Sequence, residues 1–263
     1  MAENFKKKIC LITGARTGIG LSIGITLAKN GYRVIFSGRS VNDCKDTVNE
    51  LMANGLEVVE SPIDLSNLSS LKHQTEMALS IWGTVDVLIN NGAVIEPITP
   101  LEKIELQGFE KAVRVNYLAP SLLISYCWNN LQKNKGKVIN IGGGAARNPS
   151  HTFMIGGAVN SALNNFSRAL AMQGKIDKVS VSIIHPGMTL TSRLKKLLET
   201  DSKILKKSVK QILKQRCNAD KIKRPTKPEE VAKLVYSLIR SSNLNFNNIA
   251  IDGGKIKRLK THI

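Results

Sequence analysis

Short apolar runs bounded by turn residues recur along the chain, at Ile9–Thr13, Arg33–Ser37, Glu57–Ile63, Val85–Asn90, Lys137–Ile141, Ser180–His185 and Asn248–Ile251. Runs of this length with sharp polar boundaries read as strands. Between them lie helix-length stretches. Leu21, Ile23, Ile25, Leu27 and Ala28 are followed by Asn30-Gly31, a helix stop. Ser66 precedes a stripe of Leu68, Leu71, Met77, Ala78, Ile81 and Trp82, and reads as its cap; Pro228-Glu229-Glu230 opens a helix carrying Val231, Leu234, Val235 and Leu238. Strand and helix alternate throughout, which predicts an α/β fold with a doubly wound parallel sheet. At 263 residues and 42% hydrophobic, the chain buries enough apolar surface for one core, so residues 1–263 read as a single domain.

Charge changes this picture in one place. The net charge is +18, but from Arg193 to Lys227 thirteen Lys or Arg face only Glu199, Asp201 and Asp220, a local net of +10. The tail adds +4 through Lys255, Lys257, Arg258 and Lys260, which leaves +4 for all the rest. From Arg193 to Lys214, Leu194, Leu198, Leu205, Val209 and Ile212 fall near helical spacing with lysines between them, predicting one basic amphipathic helix. The plain reading is an apolar face packed on the core and a solvated lysine face. The alternative is a docking face for an acidic carrier protein, coenzyme A, a membrane surface or nucleic acid. Phe, Tyr and Trp are absent from 193–227, which counts against single-strand base stacking and makes nucleic acid the weakest of these.

The N-terminal residues lack the pattern of a secretory signal, and no apolar run approaches the roughly 20 residues of a membrane span; the expectation is a soluble, cytoplasmic protein. Cys10, Cys44, Cys127 and Cys217 form no C-x-x-C pair and have no histidine cluster nearby, so neither a metal site nor a disulfide framework is expected.

The strongest chemical signal is Thr13-Gly14-Ala15-Arg16-Thr17-Gly18-Ile19-Gly20, placed where the first strand becomes a helix. Glycines there allow a tight turn and close approach of the backbone to a pyrophosphate, whose charge is met by free N–H groups and the positive end of the helix dipole. This is a Rossmann-type dinucleotide site. The second strand ends Ser37-Gly38-Arg39-Ser40, with no carboxylate for a ribose 2′-hydroxyl and a guanidinium suited to a 2′-phosphate. Gly38, Arg39 and Arg16 therefore favour NADP(H) over NAD(H).

With these motifs in view, the chain resembles the short-chain dehydrogenases/reductases over nearly its whole length. The resemblance rests on the glycine loop at 13–20, Asp64-Leu65, Asn90-Asn91-Gly92-Ala93, Asn116, Pro186-Gly187 and Asp252-Gly253-Gly254. It implies that Asp64 and Leu65 lie beside adenine, that Asn91 and Gly92 lie beside the adenosine half, and that Pro186, Gly187 and Thr189 lie beside the nicotinamide. Gly92-Ala93 reverses the family's usual Ala-Gly order.

The family's chemistry uses an Asn, Ser, Tyr and Lys set, in which the serine orients the carbonyl, the tyrosine transfers the proton and the lysine lowers the tyrosine's pKa and holds the ribose. Asn116 is retained. By the same resemblance, Gly143 stands at the serine position, Gly156 at the tyrosine position and Asn160 at the lysine position. There is no tyrosine between Tyr126 and Tyr236 and no lysine between Lys137 and Lys175, so no shift of register recovers either group. General acid help is worth about 10² to 10⁴ in rate, so ordinary carbonyl reduction is expected to be absent or very slow. The rival reading is an NADPH-dependent reductase of a small carbonyl compound or acyl thioester, with a substituted acid such as His151 or His185.

Gly156-Gly157-Ala158 is weak helix, each glycine costing about 1 kcal/mol against alanine. Two readings are open: close packing against another helix, or a loosened helix that widens the vacated site. The family builds a dimer interface there, so the resemblance implies a homo-oligomer, dimer or tetramer. It also makes the basic segment at about 190–227 the substrate lid.

Overall fold

The computed structural model describes residues 7–95, 98–241 and 246–254. The basic tail at 255–263 lies outside them. Seven strands, β1 (Ile9–Thr13), β2 (Arg33–Ser37), β3 (Val58–Glu60), β4 (Val87–Asn90), β5 (Lys137–Ile141), β6 (Ser180–Pro186) and β7 (Phe246–Ile251), form one sheet in the order β3-β2-β1-β4-β5-β6-β7. All described pairings are parallel. The central strands β1 and β4 are buried at every position, and apolar at all but their last residues, Thr13 and Asn90, because helices cover both faces. In β1, Cys10 and Ile12 join the core on one face while Ile9 and Leu11 join the core on the other.

The first face carries α1 (Gly18–Lys29), α2 (Lys45–Ala53) and α9 (Pro228–Arg240), and buries Ile23, Leu27, Val48 and Val235. On α1, Gly24 lies against the Phe36 ring of β2, and any side chain there would collide with it. The opposite face carries α3 (Leu68–Ser80), α5 (Ala119–Lys133) and α6 (Met154–Asp177), burying Leu71, Leu123, Ile124 and Ala171. Before α5 comes α4 (Leu106–Val113), joined to it by a π-helical turn over Arg114–Leu118.

Several boundaries differ from the pattern-based reading, each for a local reason. The third strand ends at Glu60 rather than Ile63. Ser61 and Ile63 still donate to the carbonyls of Phe36 and Gly38, and Pro62 between them stands on the open edge of β3, where a strand tolerates it. The cap of α3 is Asn67, not Ser66: its side chain accepts from the Ser70 N–H, while the Ser66 hydroxyl donates to Asp64. The largest correction concerns the basic segment. Arg193–Lys214 is not one helix but two, α7 (Ser192–Leu205) and α8 (Val209–Ala219). Lys206 takes a left-handed conformation at φ 49°, and Ser208 starts the second helix through a reciprocal capping box with Gln211. Leu194, Leu198 and Ile212 form a small core of their own with Met188, Leu190 and Leu213 beside it.

Candidate nucleotide site and neighbouring pocket

In an open parallel sheet the strand order reverses at one place, and the crevice beyond the carboxyl ends of the strands there receives ligands. Here that place lies between β1 and β4. The two strand ends are stapled by residues the glycine pattern alone does not single out. Thr13, buried at the end of β1, accepts through its hydroxyl from the N–H groups of Asn91 and Gly92, each at 3.1 Å. The Asn91 amide donates back to the carbonyls of Thr13 at 3.2 Å and Gly14 at 3.0 Å. Gly14 and Gly18 hold φ of 63° and 62°. A Cβ at Gly14 would lie 2.6 Å from Gly92 Cα, and at Gly20 there is no room between Asn91 and the Gly14 carbonyl. Thr17 caps α1 without a side-chain hydrogen bond, and the first turn of α1 holds no acid, so nothing in the helix opposes an anion at its N-terminus.

At the end of β2, Gly38 is buried while Arg39 and Arg16 are exposed. A carboxylate unforeseen from sequence sits among them. Asp43 accepts from the N–H groups of Arg39 at 2.8 Å and Ser40 at 3.2 Å, and packs where a side chain at Gly38 would stand. Burial pushes its carboxyl up, but the Ser40 and Arg39 contacts and the nearby Arg16 charge leave it below the ordinary carboxylate value. Asp64 turns the chain by accepting from the N–H and hydroxyl of Ser66, and Leu65 reaches across so that its Cδ1 lies 2.5 Å from where a Cβ at Gly92 would be. The reversed Gly92-Ala93 order thus leaves room for Leu65.

The ends of β5 and β6 lie beside this crevice. A Cβ at Gly143 would fall 2.9 Å from Nδ2 of Asn160 on α6, so these two expected site positions do face each other. Gly144 approaches the Pro186 carbonyl, and a Cβ at Gly187 would meet Asp252 Cα at 2.7 Å. The Thr189 hydroxyl donates to the Gly187 carbonyl at 3.0 Å. Gly156 is not open space: the ring of Phe153, which caps α6, fills the volume a side chain at 156 would enter. Gly157 meets the Ala145 carbonyl. The missing side chain at Gly156 therefore leaves no open gap. Asn116, in the π-helical turn, uses both ends of its amide on one residue, accepting from Val94 N–H at 2.8 Å and donating to Val94 C=O at 2.7 Å.

A family model described as short chain dehydrogenase matches residues 8–202. The chain belongs to the short-chain dehydrogenase family. Among curated relatives, an uncharacterized oxidoreductase, YvaG, of Bacillus subtilis (strain 168) is 28% identical over 264 residues, covering 98% of this chain and 99% of its own. The short chain dehydrogenase penD of Penicillium thymicola is 29% identical over 258 residues, covering 94% and 91%. Among solved structures, L-sorbose reductase from Gluconobacter frateurii, complexed with NADPH and L-sorbose, superposes with a TM-score of 0.91 at 25% identity over 98% of this chain and 100% of that one.

Within this short-chain dehydrogenase frame, the two histidines differ sharply. His151 is exposed, whereas His185 at the end of β6 is 0% exposed. Its Nδ1 lies 3.1 Å from the Gly143 carbonyl and its Nε2 3.2 Å from Asn164 Oδ1, which also accepts from Asn248. Burial holds its pKa below the ordinary imidazole value; the Gly143 carbonyl opposes this in part and Arg147 adds to it. The folded chain therefore prefers a neutral ring, and the unfolded chain takes up the proton first. His185 should contribute stability that is full above about pH 6.5 and is lost as pH falls from there towards the lowered folded value. Thermal unfolding of the unmodified protein and His185→Gln between about pH 5.5 and 7.5 checks this, the variant being expected to lose stability less steeply on acidification. Parallel pH profiles would refute it.

Proposed function

We propose that this chain is an NADP(H)-binding member of its family whose pocket lacks the usual carbonyl-reducing set. The observation that carries this reading is the packing at Gly156, where the family's proton donor is expected: the position has no side chain, and a ring without a hydroxyl occupies its space. Gly143 and Asn160 face each other beside it, offering neither a hydroxyl nor an ammonium. The rival acid His185 is buried, with its two ring nitrogens facing the Gly143 carbonyl and Asn164 Oδ1 inside the protein, so no observation favours the substituted-acid reading.

The cofactor assignment is supported by fit. The glycine loop and the acid-free start of α1 would hold the pyrophosphate, Leu65 and Asp64 would flank the adenine, Arg16 and Arg39 would take the 2′-phosphate, and Pro186, Gly187 and Thr189 would line the nicotinamide side. When bound, the nicotinamide supplies a hydride; the chain's own residues bind and orient it but offer no matched proton donor. Asn91 and Asn116 act on the backbone, the first holding the glycine loop and the second the segment after β4.

Titration by fluorescence or calorimetry should show NADP(H) bound at least about tenfold more tightly than NAD(H), since a charge-assisted phosphate contact is worth about 1.5 to 3 kcal/mol. Arg39→Asp should weaken or reverse the preference. Asp43→Asn keeps an acceptor for the Arg39 N–H and removes a charge, and should tighten NADP(H) by about two- to fivefold. Equal affinity for the two nucleotides in the unmodified protein would sink the assignment. An assay of NADPH consumption over ketones and acyl thioesters tests the lost chemistry, with no turnover above background expected.

The exposed side of α6, with Ala158, Ser161, Ala169, Met172 and Ile176 in the open, supports a homo-oligomer assembled on this helix. Light scattering should give a dimer or tetramer that Met172→Lys with Ile176→Lys dissociates; a monomeric unmodified protein would contradict it.

A further inference from the structure

Where α7 gives way to α8, nine consecutive residues, 203–211, are exposed, and they read Lys-Ile-Leu-Lys-Lys-Ser-Val-Lys-Gln. The apolar members are not turned inward: Ile204 is 71% exposed, Leu205 53% and Val209 40%. The inward positions of the pair belong instead to Leu194, Leu198 and Ile212, so the small core between the helices is complete without them. Lys203, Lys206, Lys207 and Lys210 flank the three apolar side chains, and no carboxylate occurs between Asp201 and Asp220. Asp201 is itself held by Arg216 on the facing helix at 2.5 Å, which ties α7 to α8 and keeps its charge away from the tip. The left-handed Lys206 makes the turn, and the Ser208 capping box fixes where α8 begins, so the tip is a built feature of the fold rather than an untidy end.

We propose that this tip is a docking element for an anionic phospholipid surface, inserting Ile204, Leu205 and Val209 at the level of the headgroups while the four lysines engage lipid phosphates and carboxylates. Its composition distinguishes the occupant. Protein interfaces are enriched in aromatic residues, Met and Arg and depleted in Lys, and the tip is the reverse, with lysine as its only cation and none of Phe, Tyr, Trp or Met. The same lack of rings leaves nothing to stack on bases. Exposed aliphatic side chains ringed by long, flexible ammonium groups suit a bilayer interface, where the stems lie in the apolar layer and the charges stay among the headgroups. Among the described residues no helix is long and apolar enough to cross a membrane, so the attachment is peripheral and reversible.

The test is co-sedimentation of the full chain with vesicles of phosphatidylcholine alone and of phosphatidylcholine mixed with phosphatidylserine. The protein should bind the anionic vesicles and not the neutral ones, and rising salt should weaken binding. Each lysine near such a surface raises partitioning about fivefold, so changing Lys203, Lys206, Lys207 and Lys210 to Gln should cost about a hundredfold or more at low salt. Changing Ile204, Leu205 and Val209 to Ser, all exposed and outside the core, should cost about tenfold or more in partitioning. Both variants leave the basic tail intact, and unchanged thermal unfolding verifies their folding. Failure of the unmodified protein to prefer anionic vesicles overturns the proposal. So does a serine variant that binds them as tightly as the unmodified protein, because the surface is then a general polyanion binder. Displacement from vesicles by coenzyme A or an acidic carrier protein at concentrations that leave the vesicles intact would assign the tip to that soluble ligand instead.

Discussion

Gly14→Ala should be among the most damaging single substitutions in the chain, lowering stability by about 2 to 4 kcal/mol and weakening NADP(H) by at least about tenfold. Two costs combine at this position. At φ 63° a Cβ is strained, which is worth about 1 to 2 kcal/mol. That same Cβ would stand 2.6 Å from Gly92 Cα and 2.9 Å from its nitrogen, both backbone atoms that cannot swing aside. Relief requires the ends of β1 and β4 to part, which breaks the Thr13 and Asn91 hydrogen bonds that shape the crevice. Gly31→Ala separates the two costs, since Gly31 has φ 85° but nothing within 4 Å of its added Cβ. It should lose only the strain and keep its nucleotide affinity. Chemical denaturation and NADPH titration of both variants check this; similar losses in the two would mean that the contact with Gly92 counts for nothing.

The strands were legible in the sequence because each is a short apolar run with sharp polar edges, and β1, β2 and β5 begin and end where the pattern does. The stretch from Leu106 to Lys133 was not, for a physical reason. Pro120, which has no N–H to give inside a helix, stands two residues past a π-helical turn at Arg114–Leu118, and the helical backbone runs on through it into α5. In the basic segment, hydrophobic spacing carried the reading across a turn. The Ser208 to Gln211 capping signature marks that turn, but a left-handed lysine has no signature of its own.

The nucleotide crevice was legible for the same reason as the strands, since glycines at a strand-to-helix turn allow few alternatives. Asp43 was not, because a carboxylate five residues past Gly38 has no fixed spacing to the phosphate site and becomes relevant only when the chain folds it under Arg39. Phe153 was hidden likewise. A sequence shows that Gly156 lacks a side chain, but not that a neighbour has taken the space.

That filled space governs what reinstalling the family's groups can achieve. In a variant carrying Gly143→Ser, Gly156→Tyr and Asn160→Lys, the new phenol and the Phe153 ring claim the same volume, so the phenol is expected to sit displaced and the gain in ketone reduction to be small. Adding Phe153→Ala clears the place. Asn160→Lys also removes the amide that a serine Cβ at 143 would approach at 2.9 Å, so the four changes relieve one another's contacts. The fourfold variant should reduce simple ketones with NADPH about 10²-fold or more faster than the unmodified chain, the lower end of what a positioned general acid supplies. Phe153→Ala alone should bind NADPH normally and reduce nothing, because opening space provides no proton. If the threefold and fourfold variants are equally active, the ring does not block the position. If the unmodified chain already turns over ketones at the fourfold variant's rate, the proton comes from elsewhere and the reading of a lost catalytic set is wrong.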